Sequence, residues 1–350
     1  MAIAVEFLPV GDSDGDAIIV QYGTEQSYYL TVVDGGYASV GDQVIEHIEE
    51  HYGRNVTIHN MVVSHADNDH ATGLIPIFKH FTVGALWMNR PWLYAAQVID
   101  HFHGNWTMQG WIDHVRSNHE YLVELEELAW SRDMEPREVF QGAQIGCNLV
   151  LAPTMQRYIS LIPDLDKTPP PYRSDAAPRS FLQTARNILE AVKETLQIET
   201  LDANPPATSA SNETSVVQLA MYDDKKFLLT ADVGPDGLAE AANYAYGRGL
   251  LTAPNVVQIP HQGSRRNVTP AVLDAWLGAS NGGTPQRGSA YVMVGAKKQE
   301  HPRKKVKNAF IRRGYPVYVG RTRWMRHNSG FTKRGVPLTA EPFSYDVEED

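Results

Sequence analysis

Cysteine is almost absent from the 350 residues: Cys147 stands alone. A lone thiol makes no intrachain disulfide and no all-cysteine zinc site, and it fits a reducing compartment. Long apolar runs are missing too. None approaches the roughly 18 residues that span a bilayer, and the N-terminal MAIAVE lacks the charged and apolar regions of a signal peptide. A cytoplasmic chain without membrane contact is expected. Positive charge is in deficit, with 31 Lys and Arg against 41 Asp and Glu for a net charge of -10. That balance excludes a protein that coats nucleic acid over its whole surface, but not a local basic site. No repeat of fixed period stands out, and low complexity is confined to 168–173 (TPPPYR) and 204–212 (NPPATSASN), which read as loops.

What is present is a chain with 43% apolar residues, long enough for a large core. Short runs rich in Val, Ile, Tyr and Leu alternate with longer helical patterns, so the fold class is α/β. Five of the runs break abruptly into polar groups: 28–34 (YYLTVVD), 60–70 (NMVVSHADNDH), 227–232 (FLLTAD), 255–261 (NVVQIPH) and 291–301 (YVMVGAKKQEH). In layered α/β proteins ligands gather beyond strand ends, so five such endings can share one pocket. Two stretches interrupt the pattern. The first, 91–137, is helical in character and holds Trp92, Trp106, Trp111 and Trp130 with His101, His103, His114 and His119; the second, 154–211, combines proline-rich loops with an amphipathic helix over 180–196. Both read as insertions in one domain spanning 1–350.

The chemistry concentrates in HADNDH, where His65, Asp67, Asp69 and His70 follow a buried strand within six residues. A lone His or Asp at a strand end is more often a turn former or helix cap. Two carboxylates and two imidazoles beside an apolar strand are different, because burying them is costly without a compensating charge. In an extended loop, residues two apart point the same way, so His65 and Asp67 face one metal while Asp69 and His70 face a second. Asp232 is placed to bridge both ions, and His261 adds an imidazole to the second.

These motifs resemble the metallo-β-lactamase fold, whose usual signature is His-x-His-x-Asp-His. Within it, the Asp67 variant together with NETS (212–215), LTAD (229–232), PHQGS (260–264) and His301-Pro302 resembles the hydrolase domain of the ComEC competence proteins, in patches from about residue 3 to 330. The resemblance implies a four-layer αββα sandwich with helical insertions, a metal site at the shared edge of two sheets, and phosphodiester hydrolysis, with DNA as substrate. Two departures follow from the sequence. Gln262 stands where such relatives usually have a second histidine, and no histidine falls near 151–153, where the wider superfamily supplies a third ligand. The first site is therefore oxygen-rich, which weakens the preference for zinc and brings in manganese or magnesium. Two divalent ions are expected, zinc first, with single occupancy left open.

Two ions roughly 3.5–4 Å apart would acidify a water and polarise a phosphoryl oxygen, so no side-chain nucleophile is needed. Asp69 is expected at the catalytic ions, Asp34 to orient a ligand imidazole, and His301 to donate a proton to the leaving oxygen or hold the phosphate. Ser215 and Ser264 read as hydrogen-bond donors supporting ligand loops. Substrate contacts are assigned to Arg265, Arg266, Ser264, Asn212, Lys297 and Arg321. Charge supports a nucleic acid: residues 297–326 hold eleven Lys or Arg and only Glu300 as an acid, a segment of +10 against about -20 for the rest. With Trp324 among Arg321, Arg323 and Arg326, phosphate contacts plus base stacking are expected. The leading expectation is a metal-dependent DNA nuclease in DNA processing or bacterial defence. Its rivals are a hydrolase of a small phosphodiester, roofed by 91–137, and a degenerate metal-binding protein without turnover. In every reading 91–137 is a candidate surface for a protein partner.

Overall fold

The computed structural model describes residues 2–170, 194–346 and 348. Its strands in chain order are β1 (Ala2–Phe7), β2 (Ala17–Gly23), β3 (Tyr28–Gly35), β4 (Thr57–Ile58), β5 (Asn60–Val62), β6 (Thr82–Val83), β7 (Leu86–Trp87), β8 (Gln144–Ile145), β9 (Asn148–Ala152), β10 (Val217–Tyr222), β11 (Lys225–Leu229), β12 (Val256–Gln258), β13 (Ser289–Met293), β14 (Val317–Gly320) and β15 (Met325–Ser329). One sheet runs β15-β1-β2-β3-β5-β7 and the other β14-β13-β12-β11-β10-β9-β8, with β4 and β6 pairing apart.

Side-chain alternation sorts the core into three apolar layers, as a pleated strand buried on both faces requires. Ile3, Val5, Phe7, Ile18, Val20 and Val33 of the first sheet meet Val150, Ala220, Phe227, Leu229, Val256 and Tyr291 of the second. The intervening residues face outward: Ile19, Leu30 and Val32 pack on Val40, Val44 and Ile48 of helix Ala38–Tyr52. On the other side Leu219, Leu228, Val257 and Val292 pack on Leu238, Ala241, Leu273 and Phe310. Helix, sheet, sheet, helix: the architecture is the αββα sandwich.

Each sheet is antiparallel in one part and parallel in the other. The parallel part contains β3, β5 and β7 in the first sheet and β11 to β14 in the second. The five runs singled out in the sequence are β3, β5, β11, β12 and β13. Their C-terminal ends therefore lie along the parallel portions of the sheets, where backbone loops are available to ligands.

The stretch 91–137 forms helices including Met108–Asn118 and Glu120–Trp130, and its Trp92 and Trp111 are buried in the same outer core as Leu30 and Val32. Arg90 anchors it, donating to Glu138 Oε1 at 2.8 Å and Glu126 Oε1 at 2.9 Å. Trp130 is exposed. In 154–211 the structure shows helix Met155–Leu161 and a short helical turn, Ala210–Glu213, where a loop was expected. The helix expected over 180–196 lies largely outside the described residues; 194–196 are not helical.

Candidate metal centre

After β5 the motif loop bends at His65 and Ala66, and Asp67, in extended backbone, precedes the one-turn helix Asn68–Ala71. That turn changes the geometry expected from simple alternation. His65 and His70, assigned to different ions, have ring centroids only 4.2 Å apart, with the rings tilted by 53°. His65, His70 and Asp232 form one buried group with ligand atoms all within 4.8 Å of one another. His70 Nε2 is 3.4 Å from Asp232 Oδ2, and His65 Nε2 is 3.5 Å from Asp67 Oδ2. Asp69 Oδ2 stands 4.0 Å from His70 Nε2, and His261 Nε2 3.9 Å from Asp232 Oδ2. All six residues assigned as ligands thus lie around one centre.

Glycines permit this closeness. A Cβ at Gly73, just after the motif, would sit 1.8 Å from the Gly35 carbonyl oxygen, and a Cβ at Gly15 2.1 Å from that of Asp69. Strain gathers here as well. Among the non-glycine residues with positive φ are Asp34 (58°), Ala231 (45°), His261 (46°) and Gln262 (53°), each at or beside the cluster. Such conformations cost of order 1–3 kcal/mol each and persist where surrounding structure enforces them.

Asp34 organises both imidazoles. Its Oδ2 lies 2.8 Å from His70 Nδ1 and accepts from Ser64 Oγ at 2.5 Å, while Oδ1 accepts from Ser64 N at 2.8 Å. Ser64 Oγ in turn lies 3.0 Å from His65 Nδ1. With both Nδ1 protons held this way, the lone pairs fall on the Nε2 atoms. Those two Nε2 atoms are buried and have no hydrogen-bond partner among the described residues. A buried imidazole nitrogen without a partner is costly, and two of them aimed at a buried carboxylate fit a divalent ion. Two nitrogens with carboxylate oxygens suit zinc or manganese.

Electrostatics agree. Burial would lower the His70 pKa, but Asp232 and Asp34 hold it well above the usual range. Burial raises the carboxyls of Asp67 and Asp232, yet His65 with Ser211 in the first case and His70 with His261 in the second hold them well below it. The field that favours a proton on His70 favours a cation at the same place, and metal binding there would release that proton.

Several residues of this site were not singled out from sequence. Asp16 is buried beside His70, its Oδ2 4.0 Å from Nδ1; burial, opposed by His70 and reinforced by Asp232 and Asp34, pushes its carboxyl up to about 7. The acidic run 12–16 (DSDGD) before an apolar strand was the available signal. From 154–211, Lys167 Nζ donates to Ala66 O at 3.1 Å and Asn68 Oδ1 at 2.9 Å, and Ser211 Oγ donates to Asp67 Oδ1 at 2.6 Å. Lys167 and Ser211 thus brace the motif loop, which no local pattern announced.

The remaining assigned residues are distributed as follows. The Asn212 amide is 2.8 Å from His261 Nδ1. Ser264 Oγ accepts from Arg266 N at 3.4 Å; Arg266 is exposed and Arg265 half-buried. Ser215 Oγ and Gln262 Oε1 are buried without a hydrogen-bond partner. Burial and Arg303 lower the His301 pKa, and its Nδ1 has no partner. Arg321 donates to the carbonyls of Lys298 at 2.9 Å and His301 at 2.6 Å, bracing the loop that carries His301. Lys297 pairs with Asp12 at 2.6 Å. His101 and His103 are exposed.

The basic segment is mostly neutralised within the fold. Lys298 pairs with Asp14, Arg303 with Glu348, Lys307 with Glu341, Arg312 with Glu194, Arg313 with Glu199 and Asp274, and Arg326 with Glu6. Every one of these acids lies outside 297–326, so charge segregated in sequence is recombined in space.

No protein-family model matches the chain, and no curated protein matches it. Among solved structures it is similar to the metallo-β-lactamase fold protein YhfI from Bacillus subtilis, at 10% identity over 94% of this chain and 100% of that one, with a TM-score of 0.43. It is also similar to the Rm3 metallo-β-lactamase, at 11% identity over 73% and 77% with a TM-score of 0.33. A third is MEM-A1, a subclass B3 metallo-β-lactamase from a soil metagenome library, at 14% over 78% and 85% with a TM-score of 0.28. Likeness at this level says nothing of activity or substrate. No described helix is long and apolar enough to cross a membrane.

Proposed function

We propose that the chain is a metal-dependent phosphodiester hydrolase, with DNA as its first candidate substrate. The observation that carries this reading is the pair of buried, unpartnered Nε2 atoms of His65 and His70 facing Asp232. His65, His70 and Asp232 would hold a divalent ion there, which would supply Lewis-acid activation of water and of a phosphoryl oxygen. Asp34, directly and through Ser64, holds the Nδ1 protons and so keeps both Nε2 lone pairs on the site. Asp67, Asp69 and His261 surround the same centre and add ligand atoms for one ion or two. His301, whose pKa is lowered by burial and by Arg303, would hold the phosphate through a ring N–H. Arg321 keeps that loop in place, and Arg265 and Arg266 stand after the His261 loop.

A second reading, a small phosphodiester, is favoured by the pairing of the basic segment and by a cleft of about 660 Å³ beside Asn68 and Thr72, walled by Tyr37 and by Tyr121 from 91–137. The test is hydrolysis of bis-p-nitrophenyl phosphate and of linear single- and double-stranded DNA with Mn²⁺, Mg²⁺ or Zn²⁺. Metal-dependent cleavage lost in Asp232→Asn supports the hydrolase. DNA cleavage whose KM rises steeply with salt selects the polymer, and salt-independent cleavage confined to the small ester selects the second reading.

A further inference from the structure

Asp232 and His261 come from one sheet, and His65, His70 and Asp34 from the other. Something has to fix the two sets relative to each other to within tenths of an ångström, because a metal centre tolerates little looseness. Backbone does part of this: Val216 N donates to Ser64 O at 3.0 Å across the seam. That bond, however, leaves the 230–232 loop unattached.

We infer that Gln258, at the end of β12, is a positioning residue that clamps the Asp232 loop to the His70 side of the centre through Asp16. Its side chain is buried and uses both ends. Gln258 Nε2 donates to Asp16 Oδ2 at 2.7 Å, reaching from the second sheet to the start of β2 in the first. Gln258 Oε1 accepts from Thr230 N at 2.9 Å and from Ala231 N at 3.1 Å, and its own carbonyl accepts from Thr230 Oγ1 at 3.1 Å. Ala231 is the left-handed residue immediately before Asp232, and its carbonyl accepts from His261 N at 3.1 Å. One amide therefore secures the strained turn that aims Asp232 and, through that turn, the His261 loop. On the far side, Asp16 lies 4.0 Å from His70 Nδ1, and its carbonyl accepts from Gly36 N at 2.8 Å, beside the Asp34 turn. A Gln fits because its amide offers a donor and an acceptor from one rigid group, with the reach to span from β12 to Asp16. Supporting hydrogen bonds of this kind typically change metal affinity 10- to 100-fold when removed.

The inference rests on the metal-centre reading and on no particular substrate, so it is tested with the metal alone. Zn²⁺ affinity by competition titration, the Co²⁺ absorption spectrum and the metal-free melting temperature are measured on the full chain for Gln258→Leu, Asp16→Ala, Asp16→Asn and the double variant. Gln258→Leu and Asp16→Ala are expected to weaken Zn²⁺ at least ~10-fold and to alter the Co²⁺ spectrum. Asp16→Asn, whose amide oxygen still accepts from Gln258, stays near wild type. The double variant is no weaker than the worse single one, because both break the same link. Wild-type affinity and spectrum in Gln258→Leu would overturn the clamp, as would additive losses in the double variant. If Gln258→Leu does not fold, the contrast between Asp16→Ala and Asp16→Asn decides: equal losses in both overturn it. A wild type that binds Zn²⁺ but cleaves no phosphodiester sinks the proposed substrate while these affinities still judge the clamp.

Discussion

Asp34 Oδ2 sits 2.8 Å from His70 Nδ1, and the same oxygen accepts from the Ser64 hydroxyl that reaches His65 Nδ1. One buried carboxylate thereby sets the tautomer of both imidazoles. Asp34→Ala should weaken divalent-ion binding by roughly 100-fold, more than Ser64→Ala at roughly 10-fold, because the first loses both orientations and the second only one. Isothermal titration with Zn²⁺ or Mn²⁺ checks the order of the two effects. Equal effects would show that the imidazoles are held independently.

A second expectation concerns acid stability. Glu6 is fully buried in β1. Burial raises its pKa, but His47 and Arg334 outweigh that and take it from 4.5 to about 2; His47 Nε2 is 2.8 Å and Arg334 Nη2 2.7 Å from the carboxylate. A group with a depressed folded-state pKa stabilises fully above its unfolded value and loses that contribution as pH falls through the folded one. The window here is about pH 4.5 down to 2, and the amount roughly 3 kcal/mol. Urea unfolding of the wild type should weaken across the upper part of this window, while Glu6→Gln should be less stable at pH 7 and flatter in its pH dependence. Parallel curves for the two proteins would remove Glu6 from the account.

Close backbone approach makes a third case. Because a Cβ at Gly73 would fall 1.8 Å from the Gly35 oxygen, Gly73→Ala has to push the motif helix away from the Asp34 turn. The expected loss is at least about 3 kcal/mol, in line with other severe steric substitutions. Gly53→Ala is the control for backbone strain, since its φ is 101° but nothing lies within 4 Å; it should lose less. A melting curve for Gly73→Ala that matches the control would contradict the packing.

Nucleic-acid contact by the basic segment is also open to measurement. Most of its cations are paired; the described residues show no ion pair for Lys304, Lys305, Arg321 and Arg323, and since Arg321 is held by the carbonyls of Lys298 and His301, the remaining three are Lys304, Lys305 and Arg323. Replacing all three with Ala should raise the KM for DNA severalfold and reduce the salt slope of binding by about 3, leaving hydrolysis of bis-p-nitrophenyl phosphate unchanged. An unaltered salt slope would take the polymer off this face.

The layered α/β plan was legible because strand alternation and helical periodicity are local. The runs ending at Asp34, His70, Asp232, His261 and His301 each contain a strand followed by its loop, and residues far apart in sequence meet because parallel strand ends lie side by side. What could not be read was partnership over distance. Lys167 and Ser211 brace the HADNDH loop from 154–211, and Gln258 meets Asp16 from 242 residues away; no period encodes such contacts. The same holds within the +10 segment, where Arg312 and Arg313 look exposed in a string of cations but are buried against Glu194 and Glu199. The close approach of His65 and His70 was not legible either, because a helical turn begins after Asp67 where an extended loop was assumed.

The central claim is that His65, His70 and Asp232 hold a divalent ion. The most direct measurement is metal content by elemental analysis of the purified chain after dialysis against limiting Zn²⁺ and Mn²⁺, for wild type and for His65→Ala, His70→Ala and Asp232→Asn. Stoichiometric metal is expected in the wild type, with a melting temperature that rises with free ion and loss of both in each variant. A wild type that retains no ion, or variants that retain it unchanged, would contradict it.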